Sequence, residues 1–100
     1  MRRVGFPGME PRRGVLAPEL DRWRRNANED DRRTAVVRLR NGTDAEQAAT
    51  RLAAIGMDVT DLGAGSVVGS VSPPVLYRIG TQPWVLAVEG PRGLRPLAGG

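Results

Sequence analysis

The stretch "TAVVRLRNGTDAEQAATRLAAIG", residues 34–56, decides how the rest of the chain is read. Residues 34–40 alternate, with Ala35, Val37 and Leu39 on one face and Val36, Arg38 and Arg40 on the other. That is the pattern of a half-buried strand. After Arg40 the apolar spacing changes to that of a helix. Ala45, Ala48, Ala49, Leu52 and Ile55 line one face of residues 41–56. Thr43 with Glu46 reads as a capping box, and Gly56 as a left-handed stop. The small side chains on that stripe let the helix lie close against a sheet.

Downstream, "MDVTDL" (57–62) is a second alternating strand, with a tight turn at Gly63 and Gly65. "SVVGSV" (66–71) is a third strand. Ser72 is placed to cap a short helix opening at Pro73, with Val75, Leu76 and Ile79 as its apolar face and Gly80 at its end. Pro83 then introduces a last strand, Trp84 to Val88, where a missing amide donor is best tolerated. The order strand-helix-strand-strand-helix-strand over residues 34–90 makes two split βαβ units with right-handed crossovers. The expected fold is α+β: a ferredoxin-like sandwich, four antiparallel strands with two helices on one face. The other sheet face stays open.

Upstream, residues 1–33 read as an Arg-rich, partly disordered extension. Residues 1–16 have the Gly, Pro and charge content of a loop. Residues 17–33 hold a short helix with Leu16, Leu20 and Trp23 at i, i+4 and i+7. Trp23 either caps the core, is solvated, or docks a partner. Residues 91–100 have no periodicity and are expected to be a mobile tail.

Composition removes several classes of chemistry. The 100-residue chain has no Cys and no His, so disulfides, zinc sites, thiol nucleophiles and His-based triads are excluded. No acidic loop of the calcium-binding kind appears, and neither a metal nor another cofactor is expected. All fifteen basic residues are Arg, nine of them within residues 1–33 against six acids there. The folded part is nearly neutral. Charges and prolines break every apolar run, so neither a membrane span nor a signal peptide is read, and an unprocessed cytoplasmic protein is expected. A core of fewer than about 60 residues with no disulfide is expected to be marginally stable and to gain stability on binding a partner.

The spacing Ile79-x-x-x-Pro83-x-Val85-x-x-Val88-Glu89 resembles the closing signature of subtilisin-type propeptides and their stand-alone inhibitor relatives. "AVVRLRNGTDAEQAATRLAAIGMDV" is similar to that family's first strand and first helix, and "SVVGSVSPPVLYRI" to its third strand and second helix. The resemblance covers about residues 34–90. It implies a non-catalytic inhibitor or folding chaperone of a subtilisin-like serine protease. The open sheet face would lie on two protease helices and the C-terminal tail in the substrate cleft as an added strand. Leu97 would then occupy the apolar pocket, Ala98 and Gly99 the narrow sites, and Gly100 the catalytic centre. Val36, Arg38, Val68, Trp84 and Glu89 are the expected sheet-face or strand-end contacts. Glu89 either caps a partner helix N-terminus or is a solvated strand-end acid.

Three other readings compete. A self-associating module would bury Val36, Val68 and Trp84 between two copies as a homodimer. An Arg-rich nucleic-acid binder would use the same architecture, but it needs stacking aromatics that "TAVVRLR" and "SVVGSV" lack. An acylphosphatase-like enzyme would need a Gly-rich phosphate loop, and in "RLRNGTD" Asp44 repels phosphate.

Overall fold

The structure is a computed structural model and describes residues 14–91. In chain order it runs α1 (Pro18–Asn26), β1 (Arg33–Leu39), α2 (Ala45–Ile55), β2 (Asp58–Gly63), β3 (Ser66–Val71), α3 (Pro73–Gly80) and β4 (Val85–Glu89). The strands form one antiparallel sheet in the order β2-β3-β1-β4. Each crossover helix returns the chain past one intervening strand, which is the ferredoxin-like arrangement expected from the alternation of strands and helices.

Alternation decides which sheet face is covered. Ala35, Val37 and Leu39 of β1 and Val67 and Val71 of β3 are buried, together with Val85 and Val88 of β4. They meet Ala48 and Leu52 of α2 and Leu76 and Ile79 of α3 in one core. The helix α2 starts one residue later than the capping-box reading requires. Asp44 is the N-cap, and its carboxylate accepts the Gln47 N–H at 3.1 Å. Asp44-x-x-Gln47 outcompetes Thr43-x-x-Glu46 because a carboxylate is the stronger acceptor at a helix N-terminus. At the other end Gly56 has φ +126°, and a Cβ there would come within 2.8 Å of Val75 Cγ2 on α3. The glycine both ends α2 and lets α3 approach.

Ser72 does not cap α3 with its side chain. Pro73 and Pro74 at the first two helical positions carry no N–H, so of the donors a capping hydroxyl takes only the third-position Val75 N–H remains, and Ser72 does not take it.

The core reaches back beyond residue 34. Leu20 is fully buried, Val15 and Leu16 nearly so, and Trp23 packs against the same core. Helix α1 lies beside α3, and the segment before it runs along the outer edge of β4. Ala17 N–H donates to the Val88 carbonyl at 2.8 Å, and Val88 N–H donates to the Val15 carbonyl at 2.7 Å. Residues 15–26 are therefore part of the same folded unit as residues 34–90. Trp23 caps the core.

Both outer strands carry one extra residue, Thr60 in β2 and Leu86 in β4. Such bulges disrupt the hydrogen-bonding ladder and turn an edge away from further pairing.

Candidate docking face

The open face is read directly from the strand register. Across the middle of the sheet Asp61 of β2 sits beside Val68 of β3, Val68 beside Val36 of β1, and Val36 beside Glu89 of β4. One row away are Gly63, Ser66, Arg38 and Ala87, and on the other side Asp58, Ser70 and Thr34. Val36 and Val68 are half-buried although no helix among the described residues covers them; they face each other across the β1–β3 pair. The centre is apolar and shallow, and the rim is charged.

Of the expected contact residues, Val36, Arg38, Val68 and Glu89 fall on this face together. Arg38 Nε lies 3.5 Å from Glu89 Oε2, a partly exposed pair of small energetic worth. Arg32, just before β1, reaches over the face, with Nε donating to Ser70 Oγ at 3.0 Å.

Trp84 stands elsewhere. It precedes β4 and packs against the helix-side core. With Thr43, Asp44, Gln47 and Arg51 it lines a small hollow of about 210 Å³. Arg40 fixes its backbone, donating from its amide to the Trp84 carbonyl (3.1 Å) and from Nε to the Pro83 carbonyl (2.8 Å). Pro83 sets that turn, which directs the indole to the helix layer and away from the open face. The tail residues Leu97, Ala98, Gly99 and Gly100 lie outside the described residues.

Two features were not singled out from the sequence. One is the pair of aspartates, Asp58 and Asp61, on the β2 side of the face. Neither has a cationic partner among the described residues. Their alternation with Val59 was legible as a strand, but the bulge at Thr60 puts Asp61, rather than Thr60, beside Val68. The other is a groove of about 370 Å³ between α1 and α3, lined by Arg24, Ala27, Glu29, Pro73, Tyr77 and Arg78. The Arg24 guanidinium lies 5.0 Å from the Tyr77 ring centroid and holds Asp21 Oδ1 at 2.7 Å. That hydrogen bond, with the charges of Arg24 and Arg25, keeps the Asp21 carboxyl below the ordinary carboxylate range against partial desolvation. The sequence offered only the i, i+3 spacing of Asp21 and Arg24 as a signal.

Charge is divided unevenly between the folded body and the rest. Residues 14–91 hold nine Arg against ten acids, net −1. The chain's basic excess therefore belongs to residues 1–13 and 92–100, and the body has no net cationic charge to attract a phosphate backbone. Among the described residues no three His, Cys, Asp or Glu gather closely enough to hold a metal ion. No helix among them is long and apolar enough to cross a membrane. Compared with family models, curated proteins and solved structures, the chain matches none.

Proposed function

We propose that this protein is a non-catalytic binding protein that lays the open face of its sheet on a subtilisin-like serine protease, as a propeptide-like inhibitor or folding chaperone. The observation that carries the reading is the Val36–Val68 pair. It is apolar, central, uncovered by any helix among the described residues, and ringed by Arg38, Glu89, Asp58 and Asp61. An apolar centre with a polar rim is the anatomy of a protein-docking surface. The short side chains of Thr34, Val36, Ser66, Val68, Ser70 and Ala87 along the face leave room for a partner helix lying on it.

The edges support docking by the face over strand addition. The outer edge of β4 is engaged by residues 15–17, and β2 is bulged and acidic. The loop after β1 also weighs against phosphate chemistry. Asp44 takes the Gln47 N–H at the start of α2, so a carboxylate stands where a phosphate would need free amides.

In this proposal Glu89, Gly90 and Pro91 lead the chain from β4 toward the protease, and residues 92–100 supply the cleft-binding peptide. Leu97 fills the apolar pocket and the carboxylate of Gly100 stops at the catalytic centre.

The test is a titration of a subtilisin-type protease with a chromogenic peptide substrate, using the full chain and a form ending at Pro91. Inhibition by the full chain, lost in the shortened form at an unchanged melting temperature, is the expected result. Equal inhibition by both forms contradicts the tail assignment, and no inhibition by either contradicts the protease assignment.

A further inference from the structure

The central row of the open face reads acid–apolar–apolar–acid: Asp61, Val68, Val36, Glu89. Each step is one strand spacing, so the backbone positions of Asp61 and Glu89 flank the valines at about 14 Å, three spacings of roughly 4.8 Å; the Asp61 carboxylate also accepts the Leu62 N–H at 3.0 Å. We infer that this row selects a heterologous partner helix with a basic residue at each end of an apolar ridge, and that it rejects a second copy of this chain packed with its strands aligned. The inference rests on the docking face proposed above and specifies what that face accepts.

Exclusion of a strand-aligned second copy follows from symmetry. With the strands of the two copies aligned, two such faces meet about a dyad running along the strands or about one running across them. The first sets Asp61 over the Glu89 of the other copy, twice. The second sets Asp61 over Asp61 and Glu89 over Glu89. In both aligned packings, burying the valines together brings like charges together, which is unfavourable at an interface. Arg38 offers limited relief, since it already leans on Glu89 at 3.5 Å.

The accepted partner follows from the same row. A helix laid along it presents residues i, i+4, i+7 and i+11 on one face, with i and i+11 about 16 Å apart. Small apolar residues at i+4 and i+7 fit over Val68 and Val36. Arg or Lys at i and i+11, leaning slightly inward, meet Asp61 and Glu89. Asp61 has no cationic partner among the described residues. Among the described residues Glu89 has only its long contact with Arg38, which an incoming base can replace. Ser66, Ser70, Thr34 and Ala87 on the neighbouring rows are short enough to let the helix settle.

The experiment uses the full chain and three designed helical peptides identical except at i and i+11, which carry Arg, Gln or Glu. Binding is followed by fluorescence anisotropy of the labelled peptide. The Arg peptide is expected to bind about tenfold tighter than the Gln peptide, as two exposed ion pairs allow, and the Glu peptide weakest. The order should invert in the Asp61→Lys/Glu89→Lys double variant and flatten in the milder Asp61→Asn/Glu89→Gln variant. Val68→Arg should weaken all three peptides.

An order that ignores the charge at positions 61 and 89, while Val68→Arg still weakens binding, overturns the selection rule and leaves the docking face standing. Binding that Val68→Arg does not affect, or no binding by any peptide, overturns both. A wild-type dimer in sedimentation that Val68→Arg dissociates overturns the rejection of a second copy.

Discussion

Gly69 of β3 and Val59 of β2 are paired so closely that a Cβ on Gly69 would lie 2.9 Å from Val59 Cα and 2.5 Å from the Asp58 carbonyl oxygen. Both obstacles are backbone and cannot swing aside. The bulge at Thr60 presses β2 onto β3 at this point, and only glycine leaves room. Gly69→Ala should destabilise the fold by about 1–3 kcal/mol, the usual range for overpacking. For a domain of this size each kcal/mol lowers the melting temperature by about 4–8 °C. A thermal melt checks this, and an unchanged midpoint would contradict the tight pairing.

Leu20 is fully buried against the main core. Leu20→Ala should cost about 2–5 kcal/mol, as for other large-to-small changes in a packed interior. Urea unfolding of the full-length variant is the appropriate measurement. A loss below about 0.5 kcal/mol would mean that α1 is an appendage to the fold, as the sequence boundary at residue 34 implied.

The contrast between these two sites shows what the sequence could reveal. Strand and helix periods from residue 34 onward were sharp, so every element there and the sheet topology were legible. The alternation of Val36 and Arg38 with Val37 and Leu39 also placed most of the open face. Four things were not legible. Residues 15–17 pair with β4 through backbone groups only, which leave no mark in side-chain pattern. The Leu16–Leu20–Trp23 stripe was visible, but only tertiary packing shows that it completes the same core. Trp84 was read as the first residue of the last strand and placed on the open face, whereas it stands in the turn before β4 and packs on the helix-side core. The bulge at Thr60 likewise shifted the β2 register by one residue and brought Asp61 beside Val68.

Two neighbouring residues separate the alternative caps of α2. Asp44→Ala removes the acceptor for the Gln47 N–H and should cost about 1 kcal/mol. Thr43→Ala should cost much less, since the Asp44 carboxylate supplies the cap. Chemical denaturation of the two variants side by side decides the matter. A larger loss for Thr43→Ala would restore the capping box at Thr43 and Glu46.

Asp21 gives the fold an acid-sensitive component. Its ordinary value is 3.8, and in the folded chain its pKa is lowered, first by the hydrogen bond from Arg24 and then by the charges of Arg24 and Arg25. The unfolded chain therefore binds the proton at a higher pH than the fold does. The stabilisation is complete above the unfolded value and is lost as pH falls through the lower folded value. The side chain is partly exposed, so the component is small and should shrink further with added salt. Denaturation midpoints measured from roughly pH 5 to pH 2 should fall less steeply for Asp21→Asn than for the natural chain. Parallel curves would show that the Arg24 and Arg25 contacts contribute nothing.

The claim that the open sheet face is the binding surface is tested most directly by inhibition of a subtilisin-type protease. The full chain, its Val36→Arg/Val68→Arg variant and an Arg78→Ala variant at the α1–α3 groove would be titrated in parallel, with folding of each verified by circular dichroism. The account predicts that the double variant remains folded and loses inhibition by more than tenfold, as expected when an interface centre is disrupted, while Arg78→Ala inhibits like the natural chain. Full inhibition by the double variant, or loss of inhibition only in Arg78→Ala, would contradict the assignment of function to the open face.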